Sequence, residues 1–286
     1  MDAAETQGPK AAHIPPQSQS TPPALTPKPP PAPLVGVVLV AQDPGDWFDD
    51  VLAGLAAQDH HHLDVVVADA GRKPGLADRV LNVLPDAHTV KAPDSSGFGV
   101  AANRAVVGSS GEEANRGTGP NRIPNYYLFM HDDIVLDGTA VRRMVERAAS
   151  ANAGVVSPKI LSGTEGRILH DMGSSIDRYG SPVPRLHPGE MDQGQYDATP
   201  DVFAVAEAAL LVRTDLFAAI GGFDPEIRSL DGHVDLCWRA RLAGASVTTA
   251  PTAVGRTVGV DTSERSGTNP AILRPRNRLR MSLTNQ

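Results

Sequence analysis

The sequence predicts an α/β fold, a Rossmann-like, doubly wound mixed sheet flanked by helices. Three observations lead there. Residues 34–41 (LVGVVLVA) and 63–69 (LDVVVAD) are unbroken, β-rich apolar runs without alternation, the pattern of strands covered on both faces. Between them, after an Asp43-Pro44-Gly45-Asp46 turn, Trp47, Val51, Leu52 and Leu55 recur at helical spacing, which makes a βαβ unit. The alternation then continues through a helix near 76–84, a short strand near 87–91, a Gly-rich turn into a helix at 98–107 and an apolar strand at 126–130. In such sheets ligands sit at the carboxyl ends of the strands.

Residues 1–33 hold ten of the 25 prolines and no apolar period, so they are expected to form a disordered tail that cannot offset its ordering entropy. No run reaches the roughly 18 apolar residues needed to span a bilayer, and the tail lacks the apolar centre of a secretion signal, so the chain is expected to be soluble and unexported. The remaining body of about 250 residues fits one domain at 34–260 followed by a basic segment at 261–286. It carries the whole net charge of −7, because Asp2 and Glu5 balance Lys10 and Lys28 in the tail, and an acidic body argues against nucleic acid as a partner. The lone Cys237 excludes a disulfide framework and a cysteine zinc site, and its apolar helical setting reads as a buried structural thiol.

Two stretches interrupt the alternation. Residues 109–125, rich in Gly, Asn and charge, read as a surface insertion; residues 162–200, rich in Gly, Pro and Asp, are too long for a plain connector and read as an acceptor-side or lid segment. A strand at 202–213, helices at 214–220 and 234–243, and a last strand at 246–250 complete the pattern.

His131-Asp132-Asp133 directly follows the strand at 126–130. Two adjacent carboxylates there repel one another unless a cation or solvent screens them, and Mg2+ or Mn2+ held together with phosphates prefers such hard oxygens. The competing reading is a loop opener or helix cap. Asp69 ends the second strand before Ala70-Gly71, placed to accept a hydrogen bond from a base or ribose, though an Asx turn explains it equally well. Gly97 and Gly99 lead to Asn103 one helical turn on, a pattern of close backbone approach or of a simple tight turn. Near the end, Asp231-Gly232-His233-Val234-Asp235 opens a helix; His233, read as exposed, has a pKa suited to taking a proton from a hydroxyl, and a surface or capping histidine is its bland alternative. His60-His61-His62 lies away from the carboxyl ends and reads as solvated.

Taken in order, these pieces resemble the family 2 glycosyltransferases, which have the GT-A fold, and the likeness runs from about residue 34 to 258. Residues 37–43 followed by 52–58 look like the family's opening strand and helix, Asp69-Ala70-Gly71 like its nucleotide-contacting turn, and Gly97 to Asn103 like its Gly-rich segment. His131-Asp132-Asp133 falls at the DxD position, and Gly221-Gly222-Phe223-Asp224 with residues 234–239 matches the GGFD turn and acidic-motif helix. Residues 188–197 resemble a segment of long actinobacterial members whose catalytic domain precedes transmembrane helices. The resemblance implies an inverting glycosyltransferase that takes a UDP- or dTDP-sugar and a divalent metal, Mg2+ or Mn2+, and acts on a hydroxyl of a glycan or lipid-linked glycan acceptor of the cell envelope. Asp133, with His131, would hold the metal; Asp43, Asp69, Gly97, Asn103 and Asp132 would contact the donor; His233, or failing it Asp231 or Asp235, would be the base. Arg274, Arg276, Arg278 and Arg280, unaccompanied by acids, suit an anionic membrane surface, which places the domain in the cytoplasm at the inner face of the plasma membrane.

The sequence departs from the family in three places. His131 replaces the first DxD carboxylate, Gly232-His233 replaces a Glu-Asp pair, and Thr257 stands where many members carry a metal-contacting His. These departures keep a rival open, a catalytically degenerate GT-A domain that binds a nucleotide or a partner and acts as a scaffold module of a membrane complex. A nucleotidyltransferase ranks last, because the loop at 42–46 is acidic where a triphosphate would need basic groups.

Overall fold

A computed structural model describes residues 32–94, 97–110, 123–163, 166–198, 201–259 and 269–285. The expected disordered tail up to residue 31, residues 111–122 of the first insertion, residue 260 and residues 261–268 of the basic segment lie outside the described residues. The elements are β1 (Val35–Ala41), α1 (Phe48–Ala56), β2 (Leu63–Asp69), α2 (Leu76–Val83), β3 (His88–Lys91), α3 (Phe98–Ser110), β4 (Tyr126–His131), β5 (Ile134–Leu136), α4 (Ala140–Ser150), β6 (Ala153–Leu161), β7 (Leu169–Asp171), β8 (Ser174–Ile176), β9 (Pro182–Pro184), β10 (Ala209–Arg213), α5 (Thr214–Ala219), α6 (Gly232–Leu242), β11 (Ser246–Thr257) and α7 (Pro270–Thr284).

Among the described residues, nine strands form one mixed sheet in the order β3-β2-β1-β4-β10-β6-β11-β5, with β7 paired to β6. Strands β1 to β4 are parallel to one another, and β10 enters antiparallel between β4 and β6. Alternate side chains of the central strands feed two separate cores. Val35, Val37 and Leu39 of β1 and Leu128 and Met130 of β4 pack with α1 and α4, whereas Val38, Val40, Tyr127 and Phe129 pack with α3, α5, α6 and Met281 of α7. That two-sided burial is why β1 reads as continuous apolar sequence rather than as alternation.

Several boundaries differ from the expectation. Residues 202–208 make only isolated bridges, so the strand expected at 202–213 is confined to β10. β11 runs past residue 250 to Thr257, with a register shift between Ala250 and Val254 that lets it pair with both β6 and β5. The 162–200 segment is organised rather than loose. β7 pairs with the end of β6, β8 and β9 form a hairpin, and the buried Lys159 ammonium of β6 grips Asp192 at 3.0 Å from both carboxylate oxygens and Asp197 at 3.0 Å. His60 is buried, its Nε2 2.8 Å from the Pro33 carbonyl, and so is not the solvated residue expected.

The basic segment also behaves differently from the expectation. It folds as α7, started by Pro270 and by Asn269, whose side chain accepts from the Ala271 N–H at 3.0 Å. Its inner face docks on the body through the buried Met281 and Asn277. Arg280 pairs with Asp224 at 2.6 Å and 3.0 Å, and Arg278 donates to Ser181 Oγ at 2.6 Å. Two of the four arginines expected to face a membrane are therefore engaged inside the fold. None of the helices among the described residues is long and apolar enough to cross a membrane.

Candidate active site

A cleft of about 440 Å3 opens at the carboxyl ends of β1 and β4. His131 and Asp133 line one side; Glu207 and His233 line another; His170 and Asp171 from the end of β7, Thr257 at the end of β11 and Arg274 of α7 complete the polar wall. A larger apolar groove of about 630 Å3 lies at the opposite, amino-terminal end of these strands between α3 and α5, away from this cluster of titratable groups.

His131 is the last residue of β4, and its ring is held by Phe98, centroid to centroid 4.4 Å, which in turn meets Phe223 edge-on at 5.7 Å. The turn that follows is clamped to β11, because Val258 N–H donates to the Asp133 carbonyl at 2.7 Å. Within His131-Asp132-Asp133 the side chains part company. Asp133 reaches the cleft, whereas the fully buried Asp132 accepts from the Gln42 N–H at 2.8 Å and so ties β4 to the loop after β1.

Three other residues expected to contact a donor are engaged by the protein's own backbone. Asp43, at φ +49°, accepts from the N–H groups of Arg72 and Lys73, both at 2.8 Å; burial opposes its charge, but these bonds hold the carboxyl below its ordinary value. Asp69 accepts from Gly71 N–H at 3.0 Å and pairs with Lys91 at 3.3 Å, the Asx-turn reading. Asn103 spans the Phe223 backbone, donating to its carbonyl at 2.8 Å and accepting from its N–H at 3.0 Å, and does not reach the cleft. Gly97 does line the cleft, and its requirement is steric. At φ +81°, a Cβ there would lie 1.4 Å from the Arg228 carbonyl oxygen.

The expected bases separate in the same way. Asp235 is buried at the side of α6 away from the cleft, bonded by Arg239 and by Asn285 Nδ2 at 3.0 Å. Arg239 also donates to the carbonyls of Ile220 and Gly222, so this pair fixes the GGFD turn. Asp231 is the left-handed N-cap of α6 at φ +60°, following Leu230 at φ +63°. Two such non-glycine residues in succession are strained, and Asn277 of α7 holds them by donating to the carbonyls of Ser229 and Leu230 at 2.9 Å and 3.0 Å. His233 faces the cleft from a protected position, its side chain 17% exposed and its Nδ1 3.5 Å from Glu207 Oε2.

Glu207, His170 and Asp171 were not among the residues singled out from the sequence, and Arg274, expected at a membrane surface, lines the cleft instead. Glu207 had a signal: it is the lone charge within the otherwise apolar run at 202–212, and a buried charge in such a run needs a partner. Burial opposes its ionisation, but His233 foremost, then His131 and Arg274, bring its pKa down to about 2. Around His233 burial works against charge too, yet Glu207, Asp171 and Asp231 raise its pKa above 6.5.

The pair therefore has a stability window. A carboxyl lowered from 4.5 to about 2 contributes stability that is present above 4.5 and lost as pH falls toward 2. A raised histidine contributes stability that is present below 6.5 and lost as pH climbs through its folded value. The melting temperature is expected to be highest between these limits, and Glu207→Gln is expected to remove on the order of 2 kcal/mol there and little at either extreme. Thermal melts of both proteins across the pH range check this; parallel curves would refute the pairing.

No protein-family model matches the chain. It is 25% identical over 194 residues to the pre-mycofactocin glycosyltransferase of Mycobacterium tuberculosis strain H37Rv, a match spanning 66% of this chain and 36% of the relative. It is 24% identical over 223 residues to the O-antigen biosynthesis protein RfbC of Myxococcus xanthus, spanning 75% and 16%. The chain thus covers well under half the length of these curated relatives. Among solved structures it is similar to GalNAc-T7 with UDP, GalNAc and Mn2+ at a TM-score of 0.59, with 12% identity over 80% of this chain and 44% of that one. The fold is GT-A. Staphylococcus aureus TarS shares it at a TM-score of 0.52, with 16% identity over 79% of this chain and 37% of TarS. In GT-A terms the cleft lies where the sheet's carboxyl ends, the H-D-D turn and the start of α6 converge.

Proposed function

We propose that this chain is the catalytic domain of a family 2 glycosyltransferase. It would transfer a sugar from a UDP- or dTDP-sugar to a hydroxyl of a glycan or lipid-linked glycan acceptor of the cell envelope, with inversion at the anomeric carbon. The observation that carries this reading is one GT-A cleft with His131 and Asp133 on one wall and the Glu207-paired His233 on another. Donor and acceptor thereby have separate chemical partners across a single space. The named glycosyltransferase relative adds support.

Among the described residues, no group of three His, Cys, Asp or Glu side chains is arranged to cage a metal ion. The donor set fits a different kind of site, an ion that shares the oxygens of a bound diphosphate, because Mg2+ in phosphate sites takes only one or two protein carboxylates. Asp133, with His131, would hold it, and the ion would supply charge stabilisation to the departing diphosphate. Arg274, exposed at the cleft wall on α7, offers a second positive group to the same phosphates. His233 takes the acceptor proton, the acceptor oxygen forms the new bond to the anomeric carbon, and the bond to the diphosphate breaks with its electron pair leaving on phosphate oxygen.

For the membrane part of this reading, the outer face of α7 presents Ile272, Leu279 and Leu283, each at least 63% exposed, beside Arg276, which forms a half-exposed ion pair with Glu226 at 3.8 Å. An apolar stripe with a basic flank suits an anionic bilayer surface at the cytoplasmic face. A scaffold without catalysis is the second reading, favoured by the Asp132 carboxylate being committed to the Gln42 backbone.

Calorimetric titration of UDP, dTDP and GDP with and without Mn2+ separates the two. One nucleotide is expected to bind in a metal-dependent manner, and Asp133→Ala is expected to weaken that binding by about tenfold or more while the fold is retained. A folded chain that binds none of the three favours the scaffold.

A further inference from the structure

Three carboxylates surround His233, and they are not equivalent. Asp171 and Asp231 are both pushed up, chiefly by burial, toward their neutral forms, whereas Glu207 is driven down and stays charged. Asp171 already accepts from Gly173 N–H at 2.6 Å, and Asp231 does not line the cleft. Among the described residues Glu207 has the carboxylate within ion-pair distance of the ring, its Oε2 3.5 Å from Nδ1, which is a buried nitrogen without a hydrogen-bond partner; a small closure of this contact makes Glu207 the counterion of the imidazole.

The placement of Glu207 has a backbone cause. It precedes β10 in a segment whose neighbours Ala206 and Ala209 are buried, so its carbon chain is fixed at the edge of the core. Gly232, the first residue of α6, leaves room for the carboxylate: even a Cβ there would stay 3.7 Å from Glu207 Oε1. The residue pair that departs from the family's Glu-Asp is thus accompanied by a carboxylate supplied from another element.

We propose that Glu207 and His233 form an acid–base dyad, in which Glu207 accepts Nδ1–H and thereby presents the Nε2 lone pair to the acceptor hydroxyl. This rests on the glycosyltransferase reading for the substrate but not for the tautomer. During transfer the hydroxyl proton moves to Nε2, the oxygen it leaves bonds to the anomeric carbon, and the diphosphate departs with the electrons of the broken bond. The resulting imidazolium is held by the Glu207 carboxylate, the logic by which a carboxylate orients histidine in hydrolase triads. His233 is the catalytic residue here, and Glu207 is a positioning residue acting through it.

The tautomer is readable without any substrate. 15N spectra of the full chain, recorded at alkaline pH where the imidazole is neutral and with the His233 signal assigned by its loss in His233→Asn, are expected to show Nδ1–H. In Glu207→Gln the preference is expected to weaken or reverse. An Nε2–H tautomer in the unaltered protein overturns the dyad, whether or not a donor has been found. With a donor and acceptor in hand, Glu207→Gln is expected to lower kcat by about 10- to 100-fold with both KM values within about twofold, and Glu207→Asp to recover part of the loss. An unchanged kcat, or a loss confined to KM, overturns the positioning role. Failure of every sugar nucleotide to react counts against the glycosyltransferase reading, and the tautomer measurement still decides the dyad.

Discussion

His233→Asn is expected to lower kcat for sugar transfer by about 10²- to 10⁴-fold, the range that a positioned general base supplies, while nucleotide affinity stays within about twofold. On the proposed reading the effect falls on kcat because the imidazole lies on one wall of the cleft, whereas the expected holders of the metal, His131 at the end of β4 and Asp133 in the turn after it, lie on another. Asn keeps a polar side chain beside Glu207 and so avoids leaving that carboxylate against an empty space. Initial rates set beside calorimetric affinities check the prediction. An unchanged kcat would dismiss His233 as the base.

Gly97→Ala is expected to damage stability and turnover together. Left-handed backbone costs a non-glycine residue about 1–2 kcal/mol, and here a steric cost is added, because a Cβ 1.4 Å from the Arg228 carbonyl oxygen forces the main chain at 228 to move. That chain leads directly into Leu230 and Asp231, the strained pair ahead of His233. The expected loss is on the order of 3–5 kcal/mol, which corresponds to about 10 °C in melting temperature for a domain of this size. Gly75→Ala is the control. Its φ is +91° but nothing lies within 4 Å, so only the conformational cost applies. Equal melting temperatures for the two variants would show that the contact at Arg228 is not the constraint.

The fold was legible in the sequence wherever burial was two-sided and uninterrupted. β1, β2 and β4 are apolar on both faces because helices cover both, and the intervening helices follow from their spacing. β6, buried along its whole length as β1 is, was not legible, since Ser157, Pro158 and Lys159 break its apolar run. Lys159 is tolerated there only because Asp192 and Asp197, more than 30 residues away, neutralise it. Helix α7 was hidden by Pro275 within it and by a run of arginines that reads as a solvent-exposed stretch.

At the site, residue type was a poor guide to use. Asp43, Asp69, Asn103 and Asp132 have side chains suited to a ligand and equally suited to backbone N–H groups, and backbone takes all four, in a local Asx turn at Asp69 and across 29, 120 and 90 residues of sequence at Asp43, Asn103 and Asp132. Asp235 and Arg239, three and seven residues past Gly232, are committed to the GGFD turn, Asp235 by accepting from Arg239 and Arg239 by donating to the turn's carbonyls. Glu207 and Arg274 come from elements far from the motifs, so only the topology of β10 and α7 brings them to the cleft.

The grip of Asn277 on the Ser229 and Leu230 carbonyls spans 48 and 47 residues of sequence. During synthesis, a nascent chain that has already made β11 still lacks the side chain that holds the left-handed turn before His233. The sheet and the core beneath α1 and α4 can therefore be in place while the other core still lacks Met281 and the acid–base wall is unfinished, and both are completed when α7 docks. A chain stopped before residue 277 is therefore expected to lack the hydrogen bonds that hold the left-handed turn ahead of His233.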